Sequence, residues 1–238
     1  MYFCYAKIFY GDSMKYGKLI ILEGSCDGIG KSTQFEKLYE RLVNEGYQVV
    51  RHHFPSYNTP NGNGVERYLS GEFGKISELS PYFVNSLYAH DRAITWYDSL
   101  KKEYESGKVI LLDRYTTSSL IYQTASIKSP CERDKFLDYV IDYEYHKLGV
   151  KEPDLVIFLT MPFDMATEMR AQRKSNEGIV NDIHEADLSF MKDVYDNALY
   201  VANKLNFSQV ECSEGNSIRS IDSIHEEVYN KCIRVLKK

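Results

Sequence analysis

Between Gly24 and Thr33 the chain reads GSCDGIGKST, a run that brings glycines, a lysine and two hydroxyls close together. Glycines at this spacing let the backbone turn tightly and aim several N–H groups at one point, which suits an anion. Gly24, Gly28 and Gly30 would shape that cradle. Lys31 would reach β- and γ-phosphates, and Ser32, followed by Thr33, would offer a hydroxyl to Mg²⁺. The chemistry this set implies is the binding of a nucleoside triphosphate. One departure must be explained: the strict spacing G-x-x-x-x-G-K-[ST] asks for glycine at position 25, where the chain has Ser25, with Gly24 one place earlier. Serine takes positive φ only at a cost, so an extra residue that bulges out between Gly24 and Asp27 is the easier solution. Such a bulge would set Cys26 beside bound phosphate, near a helix N-terminus, and make it a more reactive thiol than Cys212.

A cradle of this kind needs a strand before it and a helix after it, and the flanking sequence supplies both. Leu19 to Leu22 is a continuous apolar run, as expected of a parallel strand buried on two faces, and Gln34 to Val43 is amphipathic at helical spacing. Further strands are predicted over 47–53, 108–113, 154–160 and 209–212. Helices are predicted over 65–69, 81–104, 118–123, 134–146, 165–173, 185–205 and 221–236, with a charged, flexible lid over about 170–184. Strands alternating with helices give an α/β fold, a three-layer α/β/α sandwich on a five-stranded parallel sheet of the P-loop NTPase type. Asp113 ends one strand, at the edge where open α/β sheets bind ligands, and could hold Mg²⁺ together with Ser32.

The 238 residues are 43% hydrophobic, enough for the core of one domain, taken here as 14–238. Residues 1–13 are expected to be a disordered or artefactual extension, because Met14 would make a compact start into the first strand. A net charge of −5 argues against a broad nucleic-acid surface and confines any anion site to a local cluster of Lys and Arg. Five scattered cysteines without a CxxC pair speak against a zinc site or a disulfide framework and for a reducing compartment. No apolar run approaches the ~20 residues of a membrane span, so a cytoplasmic protein is expected.

Taken together, EGxxDGxGKSTQ at 23–34, FPxY at 54–57, LYAxDR at 87–92, DRYxxSxxxYQ at 113–123 and PDLVIFL at 153–159 resemble the thymidylate kinase family. The resemblance covers about residues 16–235. Asp-Arg-Tyr with Tyr122-Gln123 is its most specific part. It implies transfer of the ATP γ-phosphoryl group to dTMP, giving dTDP, with Mg²⁺, in a homodimer whose helices pack side by side. It also implies roles for single residues. Asp27 faces the acceptor's 3′-hydroxyl and phosphate, and Arg114 grips that phosphate. Tyr88 stacks on thymine, Arg92 contacts base or phosphate, Gln123 bonds the base edge, and Phe54 and Ser118 line the acceptor site. Family members carry the phosphate-covering arginine either in the loop or in the lid; the loop position here is Gly28, so the lid, with Arg170, Arg173 and Lys174, should supply it. His53 stands where many relatives have arginine, which would make acceptor binding weaken as the histidine deprotonates.

Two other functions fit parts of this pattern. A deoxynucleoside kinase would need a general base beside a 5′-hydroxyl, and Glu23 is the glutamate at hand. A nucleotide-binding protein without turnover would follow if the altered loop held its ligand out of line.

Overall fold

The computed structural model describes residues 16–177 and 188–237, without the side chains of 173–177. The extension before Tyr16 and the lid positions beyond 177 lie outside the described residues. Strands β1 (Lys18–Gly24), β2 (Val49–His53), β3 (Val109–Asp113), β4 (Leu155–Thr160) and β5 (Ser208–Glu211) form one sheet in the order β2-β3-β1-β4-β5, with every neighbouring pair parallel. Between them run α1 (Lys31–Asn44), α2 (Asn63–Leu69), α3 (Pro81–Thr95), α4 (Lys101–Glu105), α5 (Thr116–Ala125), α6 (Pro130–Ile141), α7 (Phe163–Glu177) and α8 (Leu188–Lys204), and α9 (Ile221–Leu236) follows the last of them. Parallel neighbours require crossovers, and helices supply them.

Alternation along β1 shows why its apolar run is continuous. Ile20 and Leu22 pack with Phe35, Leu38 and Leu42 of α1 and with Val228 and Cys232 of α9. Leu19 and Ile21 face the other way, onto Trp96 and Leu100. Both faces are covered, so each of these residues is withdrawn from water and contributes roughly 1.5–3 kcal/mol of burial. A third cluster joins α5, α6 and α8 to Phe158 of β4. Helix α1 stops at Gly46 (φ 90°), where Gly46 N–H donates to Val43 O and Tyr47 N–H to Leu42 O, the paired bonds of a glycine C-terminus.

Four local features differ from the expectation. The helix beginning at Pro81 is not regular to Tyr104: over Trp96–Leu100 it widens into a π-helical turn. The helix expected from Asp134 begins at Pro130, capped by Ser129 accepting from the Glu132 N–H, and widens likewise over Asp142–Lys147. The stretch from Arg170 is helical through Glu177 and not a turn from its start. A small hairpin, β6 (Ser213–Glu214) with β7 (Ser217–Ile218), follows β5 and had no counterpart in the sequence pattern. Among the described residues no helix is long and apolar enough to cross a membrane.

Candidate active site

Strand β1 lies between β3 and β4, so the loop at its C-terminal end sits where the chain's connections diverge to the two halves of the sheet. Gly28 (φ 91°) and Gly30 (φ 84°) take the left-handed conformation that the loop requires. A Cβ on Gly28 would lie 2.9 Å from the Cβ of Arg170, so the bare backbone there is what admits α7 against the loop. An arginine at position 28 and the present placement of Arg170 exclude one another. Lys31 opens α1, buried, with Ser32 and Thr33 exposed beside it.

The extra residue does not bulge outward. Ser25 is buried, keeps negative φ, and prolongs the β1–β4 ladder by donating its N–H to Leu159 O at 2.9 Å. Cys26 is 5% exposed and packs in the core with Ile29, Met161 and Ala166. Burial pushes its thiol up to about 11, and that of Cys212 up to about 12, so the reactive Cys26 expected from a bulge is not found. The added length is absorbed by turning its side chain inward.

Two linked charge clusters stand at the strand ends. Asp113 ends β3 and pairs with Lys31 on one oxygen and with His53 Nδ1, 3.1 Å away, on the other. Burial opposes charge on Asp113, but the hydrogen bond from His53 and the fields of Lys31 and Arg114 outweigh it and hold the carboxyl far below the usual carboxylate range. His53 therefore turns toward Asp113 and stacks on Tyr57, and does not line the cavity described below. Arg114, next in sequence, has φ 66°, a strained conformation for a side chain of its size that holds only where its surroundings fix it. Its guanidinium pairs with Asp27 of the loop, and the Tyr122 hydroxyl donates to the other Asp27 oxygen at 3.3 Å. Asp27 is likewise depressed: burial is its largest influence and raises it, but Arg114, Lys31 and Arg170 prevail.

Glu23 supports this cluster from below. It is fully buried, accepts from the hydroxyls of Thr117 (2.9 Å) and Ser118, and lies 3.7 Å from Arg114. A carboxylate so enclosed is not presented to a substrate hydroxyl, which removes the base that a deoxynucleoside kinase would need.

Beyond Asp27 and Arg114 opens a cavity lined by Phe54, Tyr88, Arg92, Ser118 and Gln123. The sequence motifs thus converge on one site. Tyr88 is half-buried and meets Tyr68 edge-on at 6.2 Å. Phe54 enters through the cis Phe54–Pro55 bond. Gln123 is buried, and its side-chain oxygen has no hydrogen-bond partner among the described residues. Arg92 is 1% exposed and forms a two-pronged pair with Glu144, a residue the sequence motifs did not single out. Its signal was present: after Leu137 and Val140, helical spacing assigns position 144 to the core, and a charge there calls for a partner. Arg173 lies on α7, with its side chain outside the described residues. A second cavity, about 290 Å³, opens at the starts of β4 and β5 beside Asp154 and Ser208, on the opposite edge from the loop.

Ser32 and Asp113 are hard oxygen donors, and among the described residues no cluster of three or more His, Cys, Asp or Glu could cage a metal. This donor set fits a Mg²⁺ that keeps most of its ligands from phosphate and water.

A family model described as thymidylate kinase matches residues 22–227. The thymidylate kinase of Halothermothrix orenii is 30% identical over 215 residues, covering 90% of this chain and 96% of its own. The probable thymidylate kinase of Thermococcus kodakarensis is 32% identical over 213 residues, covering 88% and 94%. The solved thymidylate kinase of Candida albicans superposes with a TM-score of 0.70 at 24% identity over 93% of both chains, a likeness of fold. With the phosphate loop, the Asp27–Arg114 link and the cavity in one place, these matches settle the relationship: the chain belongs to the thymidylate kinase family.

Proposed function

We propose that the protein transfers the γ-phosphoryl group of ATP to dTMP, giving dTDP, in the cytoplasm. The observation that carries this is the Asp27–Arg114 pair, which belongs at once to the phosphate loop and to the lining of the cavity. A nucleoside monophosphate seated in that cavity presents its phosphate to Arg114 and so to the donor held by the loop.

Phosphoryl transfer asks little covalent chemistry of a protein; it asks for in-line placement and for neutralisation of the charge that spreads over the moving group. Gly24, Gly28, Gly30 and Thr33 shape the donor cradle, and Lys31 serves the β- and γ-phosphates, exchanging its pairing with Asp113 for them. Ser32 and Asp113 would hold Mg²⁺, whose charge would add to that of Lys31. Arg170, already packed on Gly28, covers the phosphates from the lid side, with Arg173 one helical turn along. Arg114 grips the acceptor phosphate, and Asp27 orients Arg114 and meets the 3′-hydroxyl. In the cavity Tyr88 offers a face to the base, Arg92 and Gln123 its edge contacts, and Phe54 and Ser118 the walls.

The homodimer implied by the family resemblance would use the outer side of α3 and of the π-helical turn that follows it, where Phe83, Ile94 and Tyr97 are exposed.

The test is ADP release with ATP–Mg²⁺ and dTMP, dUMP, thymidine or no acceptor. dTMP should dominate, with dUMP within about 10–200-fold of it, since one missing methyl is worth ~1–3 kcal/mol. Preference for thymidine, or release that ignores the acceptor, would overturn the proposal.

A further inference from the structure

Arg92 presents an unusual account of its donors. A guanidinium carries five N–H bonds and no acceptor. Here Nε donates to Glu144 Oε2 at 2.7 Å, and Nη2 donates to Glu144 Oε1 and to Ser119 Oγ, both at 2.7 Å. Nη1 reaches Tyr115 O at 3.4 Å. Among the described residues one Nη1 hydrogen remains, on a side chain that lines the cavity beside Tyr88, whose ring centre is 6.0 Å from the guanidinium carbon. Glu144 is fully buried, and its Oε2 also accepts from Thr116 Oγ1 at 2.7 Å, so carboxylate and guanidinium are locked together from both sides. The lock comes from a distance. Glu144 sits in the π-helical turn after α6. Among the described residues it is Arg114 that pairs with the phosphate loop, whereas Arg92 lines the cavity beside Tyr88, on the side that the dTMP reading gives to the base.

We infer that Glu144 is the positioning residue for base selection: by holding Arg92 it leaves a single, fixed N–H donor facing the acceptor base. The inference rests on the dTMP reading above. A fixed donor that can never accept favours a pyrimidine with a carbonyl at the facing position and opposes one with an amino group there, where two donors would meet. Gln123 cannot make this distinction alone, because its amide can rotate to offer either an acceptor or a donor. On the dTMP reading Arg92 already serves the base edge; what Glu144 adds is the fixed direction of its remaining donor, and with it the sharpness with which a 4-oxo pyrimidine is separated from a 4-amino one. Freed from Glu144, the guanidinium could swing aside and admit the amino group.

Glu144→Gln tests this, since it keeps the shape but turns an amide NH₂ toward one Arg92 N–H. The readouts are kcat/KM for dTMP and dCMP, KM for ATP, and circular dichroism with melting temperature to verify folding. The expected result is a loss of tenfold or more in kcat/KM for dTMP, a fall of tenfold or more in the dTMP to dCMP ratio, and a KM for ATP within twofold of the unsubstituted enzyme. Ser119→Ala, which removes one bond from the guanidinium to a hydroxyl and leaves the ion pair, should lower the same ratio two- to tenfold and carries the test if Glu144→Gln does not fold. A folded variant with an unchanged ratio, or one that loses both nucleotides equally, overturns the role of Glu144. Absence of dTMP turnover in the unsubstituted enzyme would overturn the functional reading itself, and this inference with it.

Discussion

Tyr88 shows how little a side chain's type decides by itself. An aromatic at helical spacing is ordinarily core, yet here the ring is half-buried, braced edge-on by Tyr68, and one side lines the cavity. Stacking of a base on such a ring is worth ~1–3 kcal/mol, about five- to 150-fold in affinity. Tyr88→Ala should therefore raise the KM for dTMP by about that factor and leave the KM for ATP within twofold; equal effects on both nucleotides would return Tyr88 to a structural role. Asp113 makes a different demand, on pH. Its folded pKa lies below the unfolded value of about 4, so the stability it contributes is present above pH 4 and is lost as pH falls through the folded value. Melting temperatures measured from pH 6 to pH 3 should fall less steeply for Asp113→Asn than for the unsubstituted protein. Parallel curves would mean that its partners do not stabilise the charged form.

The join between β1 and α1 is where the local pattern and the fold disagreed. Spacing alone allowed the extra residue to bulge outward, whereas the ladder bond from Ser25 to Leu159 and the packing of Cys26 hold it in. Native-state thiol labelling at pH 8 should accordingly modify the exposed Cys131 well before Cys26, and ATP should make little difference to Cys26. Fast, ATP-protected labelling of Cys26 would restore the bulge. The elements themselves were legible because each carries a local signature: the apolar run of β1, the spacing of Phe35, Leu38 and Leu42 in α1, the Asp-Arg-Tyr at the end of β3. The Glu144 lock and the support of Arg114 by Glu23 were not, since the partners lie 52 and 91 positions apart in sequence. The wide turns at 96–100 and 142–147 also escaped, because a 3.6-residue period cannot register the i→i+5 bonds that define them. A glutamate on the buried side of the turn that follows α6 was the one local hint.

In the whole molecule the sheet sets a single working edge: phosphate loop, Asp113, Arg114 and the acceptor cavity all gather at the C-terminal ends of its central strands, and the outer side of α3 with the turn after it is left with exposed Phe83, Ile94 and Tyr97. If two copies meet there, Ile94→Glu should shift sedimentation velocity from dimer to monomer while changing the melting temperature by only a few degrees beyond the loss of the contact. A dimer that survives the substitution would place the interface elsewhere. Whether this edge joins the γ-phosphoryl of ATP to a nucleoside monophosphate can be read by following the phosphorus itself. In ³¹P NMR of enzyme with ATP, Mg²⁺ and dTMP, the dTMP monoester signal should be replaced by the two coupled resonances of dTDP as ADP appears in equal amount. Inorganic phosphate appearing in place of dTDP, or a dTMP signal that stays constant while ATP is present, would mean that the edge does not transfer phosphate between the two nucleotides.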